Sequence, residues 1–188
     1  MSKSTQFAWS SRVLHWLMAV ALLAMLAIGM HMVVSFEQYR VLVAIHRPLG
    51  ILILVLAVIR LVNRQLQPLP PFLPTMSARE RVIATASERL MYGLMLLLPL
   101  VGWGMLSAAR LPVQVGPLVL PPILPHSMAL YTLLRRSHTL LAYLLFFAFM
   151  AHLSAVLFHS LVLRDGLLRR MLPWAPPATE RSDTDSSD

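Results

Sequence analysis

"RRSHTLLAYLLFFAFMAHLSAVLFHS", Arg135 to Ser160, is apolar enough to lie in hydrocarbon, yet it carries histidines at 138, 152 and 159. Polar side chains at bilayer depth are costly unless they face a protein interior and engage a partner there. A helix advances about 1.5 Å and about 100° per residue, so the fourteen steps from His138 to His152 give about 21 Å of rise within about 40° of one face. One helix therefore offers two imidazoles at two depths on the same side. Such a helix can hold two cofactors stacked across a bilayer.

The rest of the chain supplies the membrane. Of 188 residues, 57% are hydrophobic and only 13% charged, more apolar surface than a soluble domain of this size can hide. Four runs reach the roughly 20 residues a spanning helix needs: 13–34, 41–62, 90–109 and 137–163. The fold class predicted is an all-α membrane protein, a four-helix bundle. The first run is longer than a signal peptide's core, and no convincing small-residue cleavage site follows it, so it reads as a retained helix.

Charge sets the orientation. Four spans put both termini on one side with the 64–87 connection. That side holds eleven basic residues: Lys3, Arg12, Arg60, Arg64, Arg79, Arg81, Arg89, Arg164, Arg169, Arg170 and Arg181. The other holds Arg40, Arg47, Arg110, Arg135 and Arg136. The positive-inside rule then predicts cytoplasmic termini. The net charge of +8 is read as topology and lipid contact, not nucleic-acid binding.

Absent motifs narrow the chemistry. There is no cysteine, which excludes disulfides, iron–sulfur clusters and covalently attached haem. No glycine-rich nucleotide-binding pattern and no internal repeat occur. "QLQPLPPFLPT" and "PVQVGPLVLPPILPHS" read as proline-broken connections, the second folding over the outer face. Residues 1–173 are predicted to form one membrane domain and 174–188 a disordered polar tail.

The second histidine of each pair must come from another helix. Alternating helix direction places His15 near the cytoplasmic start of helix one and His46 near the outer start of helix two. Depth pairs His46 with His138, and His15 with His152. Imidazoles facing each other inside an apolar bundle suit axial ligation of haem iron. His31 lies about 160° from His15 and points elsewhere, and His126 sits in a loop. His159 is seven residues from His152, nearly on its face, and helical geometry does not choose between them; depth favours His152. The twelve methionines, scattered through leucine-rich helices, read as packing.

Four stretches together resemble the bacterial cytochrome b561 family: "RVLHWLMAVALLAML", "AIHRPLGILILVLAVIRL", "LMYGLMLLLPLVGWGM", and "SHTLLAYLLFFAFMAHLSAVLFH" with its exit "RDGLLRRMLP". The similarity covers roughly residues 8–173. It implies a four-helix cytochrome with two non-covalent b haems, ligated by His15, His46, His138 and His152, with His159 beyond them. Arg60 in "VIRLV" matches a family position and is expected near a haem propionate or lipid headgroups. The chain departs from the pattern at Glu88 in "ASERLMY", where family members often carry histidine. Proton or quinone chemistry assigned to that histidine does not carry over.

The resemblance implies electron exchange between superoxide outside and ubiquinone in the bilayer. The alternative is a non-enzymatic subunit carrying electrons for a dehydrogenase, a hydrogenase or a soluble cytochrome. The outer face has five arginines and one acid, Glu37, so Arg47, Arg135 and Arg136 are candidates for steering a small anion toward the outer haem. Expected partners are membrane lipid, quinone and a one-electron donor such as superoxide or a redox protein.

Overall fold

Four long helices are what the four apolar runs become in the computed structural model, which describes residues 6–174. They are α1 (Trp9–Val34), α2 (Tyr39–Leu66), α3 (Ala78–Ala108) and α4 (Met128–Leu157), the last continuing through a π-helical turn at Phe158–Leu163. Each is long and apolar enough to cross a membrane, and a helix is the form in which a single span meets its own backbone hydrogen bonds in lipid.

Burial is sparse and sits on the inward seam. Met18, Ala21 and Leu22 of α1 pack with Ile53 and Ala57 of α2, Tyr92, Leu94, Met95 and Leu98 of α3, and Leu145 of α4. Outside that seam large apolar side chains stay exposed, among them Leu140 and Phe147 of α4 at 70% and 64%. Lipid, not water, is the solvent such a surface fits.

All four helices begin earlier than hydropathy predicts, and α3 and α4 do so by two turns or more. The start of α3 lies at Ala78, not Leu90, because Ser77 and Glu80 form a reciprocal cap: Ser77 Oγ accepts from Glu80 N–H at 3.3 Å and Glu80 Oε2 from Ser77 N–H at 2.7 Å. The start of α4 lies at Met128, not Ser137, where the Ser127 hydroxyl accepts from Leu130 N–H at 3.3 Å. Polar first turns are helical by capping, which a search for apolar runs overlooks. Arg135 and Arg136 are therefore on the helix, not in the connection before it.

Packing follows the chain: α1 against α2, α2 against α3, α3 against α4. Among the described residues α4 has no extensive backbone contact with α1 or α2. α4 meets α1 and α2 through side chains, Leu145 among them, rather than through extensive backbone contact.

Both ends of the described chain meet at one end of the bundle, here the terminal end. Phe7 N–H donates to Arg170 carbonyl at 3.4 Å, Arg12 Nη1 to Leu172 carbonyl at 2.8 Å, and Trp16 Nε1 to Met171 carbonyl at 2.9 Å. Trp174 rests against Trp16 with ring centres 6.4 Å apart. The rest of the expected tail, 175–188, lies outside the described residues.

At the opposite end the expected proline-broken connection holds a small antiparallel hairpin. Its strands are β1 (Val113–Val115) and β2 (Leu118–Leu120), with Gln114 opposite Val119. Gly116 makes the turn at φ +58°, a left-handed conformation glycine takes without strain. The connection is pinned to α3: Trp103 Nε1 donates to Pro121 carbonyl at 3.0 Å and Ile123 N–H to Ser107 Oγ at 3.1 Å. Strands this short carry too little alternation to stand out among prolines.

Candidate functional site

Two imidazole pairs stand between α4 and the helices α1 and α2. At the hairpin end, His46 of α2 faces His138 of α4 with ring centres 6.3 Å apart and planes at 68°. At the terminal end, His15 of α1 faces His152 of α4 at 6.4 Å and 66°. These are the pairs the alternation of helix direction predicts.

The separation has a chemical meaning. A metal–imidazole nitrogen bond is about 2 Å, and the nitrogen lies about 1 Å from the ring centre, so two imidazoles on opposite sides of one metal ion have centres about 6 Å apart. Both pairs have that spacing. At the hairpin end Nδ1 of His46 and of His138 are buried without a hydrogen bond. The Leu98 carbonyl faces the His138 ring but does not reach hydrogen-bond geometry. Buried polar atoms seldom stay unsatisfied, and these sit beside a potential ligand site.

Gly102 of α3 gives His138 its room. A Cβ there would lie 3.2 Å from His138 Cε1 and 3.4 Å from Nδ1, closer than ordinary carbon contact. The same helix carries Gly93, where an added Cβ meets nothing within 4 Å. Glycine at 102 is thus a clearance for the imidazole, a role that spacing within α3 does not reveal.

Arg60 of α2 reaches the terminal-end pair. Its Nη1 donates to His15 Nδ1 at 2.8 Å and its Nε to the buried Tyr92 hydroxyl of α3 at 2.8 Å. An arginine only donates, so Nδ1 of His15 is the acceptor. Glu88 of α3 is ion-paired with Arg64, one turn beyond Arg60. Glu88, Arg60, Arg64, Asn63 and Tyr92 share a narrow polar crevice.

The other histidines have other partners. His31 is exposed and 3.0 Å from Gln38 Oε1. The His126 ring lies 2.8 Å from the Ala108 carbonyl. His159, in the π-helical turn, faces no imidazole: its Nδ1 lies 2.5 Å from Asp165 Oδ2. The Asp165 carboxylate, unremarked in the sequence, separates His159 from the paired histidines in kind as well as depth.

Of the three steering candidates, Arg47 adjoins His46 and donates from Nη1 to Pro112 carbonyl at 3.5 Å. Arg135 donates to the Tyr131 hydroxyl at 3.1 Å. By helical angle it is about 60° from His138, whereas Arg136 is about 160° away and turned outward. By register Arg47 and Arg135 lie nearer the hairpin-end pair than Arg136 does, while Arg135 also borders the same outward hollow as Arg136.

A four-helix membrane bundle with facing imidazoles at two depths is the architecture of a b-type membrane cytochrome. The chain belongs to the prokaryotic cytochrome b561 family, whose model matches residues 6–174. It is 32% identical over 129 residues to a Yersinia pestis protein named probable superoxide oxidase CybB, covering 69% of this chain and 73% of that protein. It is 30% identical over 166 residues to cytochrome b561 homolog 2 of Escherichia coli (strain K12), covering 86% and 88%. Family membership implies b-type haem and makes this a multi-pass bacterial membrane protein of electron transfer. The imidazole spacing and the Gly102 clearance fit such a group.

Proposed function

We propose that the chain binds two b haems and passes electrons from superoxide on the outer side of the bacterial inner membrane to ubiquinone in the bilayer. The observation that carries this reading is the placement of two imidazole pairs about 21 Å apart along α4. One pair lies near each end of the bundle, which is what electron movement across a membrane requires. The basic excess at the terminal end supports assigning that end to the cytoplasm. The relative named as a probable superoxide oxidase supports the donor.

His46 and His138 would hold haem iron at the outer level, and His15 and His152 would hold it at the inner level. Bound iron supplies the one-electron couple; the protein orients it and tunes its potential. A neutral His15 ligating through Nε2 carries its proton on Nδ1, so Arg60 must then turn to another acceptor. A haem propionate would be an acceptor within its chemistry, and Tyr92 holds the guanidinium in place. Arg47 and Arg135 form the positive field that draws a small anion toward the outer level.

The stoichiometry closes simply. Two superoxide ions each lose one electron and leave as dioxygen; the two electrons and two protons convert one quinone to quinol. The test is rapid mixing of oxidised protein with superoxide, following the reduced visible bands, then their decay on adding ubiquinone. Fast reduction followed by quinone-dependent reoxidation is expected. Failure of superoxide to reduce protein that a soluble cytochrome reduces readily would assign the chain to electron carriage for a partner.

A further inference from the structure

Arg136 projects from an outward face of α4 and, among the described residues, makes no hydrogen bond or ion pair. With Arg135 it borders an open hollow of about 500 Å³ whose other walls are Thr132, Thr139, Leu140 and Tyr143, all on α4. Both threonine hydroxyls donate to carbonyls of their own helix, Thr132 to Met128 and Thr139 to Arg135. The two guanidiniums and, lower down, the Tyr143 hydroxyl are therefore the donors left to the hollow, and among the described residues no carboxylate lines it.

The same face continues apolar. Arg136, Leu140, Tyr143 and Phe147 follow at i, i+4, i+7 and i+11, one stripe of a helix. The last three are 70%, 55% and 64% exposed. From Arg136 to Phe147 is about 16 Å of rise, roughly half of the ~30 Å hydrocarbon thickness. A charged donor site thus stands above an apolar strip about one leaflet long. That is the outline of a phospholipid.

We infer that this face of α4 holds one anionic phospholipid, its phosphate on Arg136 and Arg135 and an acyl chain along Leu140 and Phe147. Arginine suits a phosphate because its planar fork donates two parallel hydrogen bonds. An anionic headgroup is favoured over a zwitterionic one because two positive charges stand together with no acid beside them. The lipid also explains why arginines persist on a side where topology disfavours them. The inference does not depend on which donor reduces the protein, and a phosphate on Arg135 would leave Arg47, beside His46, as the steering charge.

The test is native mass spectrometry of the intact protein in detergent, titrated with phosphatidylglycerol, phosphatidylcholine or inorganic phosphate. Native protein is expected to retain one phosphatidylglycerol in preference to phosphatidylcholine. Arg136→Gln should weaken that retention about fivefold, and Arg135→Gln with Arg136→Gln should remove the preference, each surface arginine contributing a similar factor. Arg136 makes no bond among the described residues, so its single variant is decisive even where the double variant assembles poorly. Unchanged lipid retention in Arg136→Gln overturns the proposal, as does displacement of the lipid by millimolar phosphate, which would mark a free-anion site. Quantitative cross-linking between copies of a Leu140→Cys variant in native membranes would also overturn it, by assigning the face to a second copy of this chain.

Discussion

His46 of α2 and His138 of α4 stand 6.3 Å apart, ring centre to ring centre, between helices that share no extensive backbone contact. His15 and His152 repeat the relationship at the other end of α4, at 6.4 Å. Each gap has the width of one metal ion between imidazoles, so loss of either member should empty one level and spare the other.

Purified native protein should yield close to two haems per chain by pyridine extraction, with low-spin reduced bands. His46→Ala or His138→Ala should leave one haem, the inner; His15→Ala or His152→Ala should leave the outer. His159→Ala and His31→Ala should keep both. A value near one in well-folded native protein would end the two-haem reading. Loss of haem in His159→Ala but not in His152→Ala would transfer the inner ligand to His159.

Gly102 offers a test that touches no ligand. Gly102→Val places carbon where His138 Cε1 stands, 3.2 Å from an added Cβ. Outer haem occupancy should fall several-fold while the inner spectrum is retained, because misplaced ligands weaken a metal site by about 10-fold or more. Gly93→Ala, with open space around its Cβ, should bind both haems normally. Equal effects of the two substitutions would show that helix propensity, not clearance, is being measured.

The steering field should appear as salt dependence. Arg47→Glu with Arg135→Glu, if both haems are retained, should slow reduction by superoxide several-fold at low ionic strength. The difference should shrink toward 0.15 M salt, where charges are screened beyond about 8 Å. Reduction by a neutral quinol should change little. An unaltered superoxide rate at low salt would reject steering by these two arginines.

The Asp165 carboxyl sets an acid limit on the terminal end. Burial pushes its pKa up, but hydrogen bonds from His159 and from Leu167 N–H outweigh that and hold it below the ordinary 3.8. A folded pKa below the unfolded one means stability present above the unfolded value and lost as pH falls through the folded value. Thermal melts of native protein and Asp165→Asn, taken from about pH 6 down to about pH 2, should therefore converge as acid protonates the native carboxylate. Parallel curves would show that the His159–Asp165 contact contributes no pH-dependent stability.

Sequence patterns that act locally carried much of this outcome. The four spans follow from runs of apolar residues, because transfer into lipid depends on local composition. The matching of His46 with His138 and His15 with His152 follows from helix rise and alternating direction. The helix starts at Ala78 and Met128 were hidden for the opposite reason: Ser77 with Glu80, and Ser127, begin helices by capping bonds that hydropathy does not register.

The amino-acid sequence by itself determined that this chain crosses a membrane four times and that its histidines stand at two depths, because hydrophobic transfer and helical periodicity need no knowledge of neighbours. Only the tertiary structure decided what each side chain meets. It put Arg60 between His15 and Tyr92, cleared Gly102 for His138, gave His159 to Asp165, and turned Arg136 away from the paired imidazoles. Such partners come from other helices or from the rotation of one helix against the rest. That rotation is set by how the apolar seams of all four helices pack together, a sum over contacts that no single stretch of the chain contains.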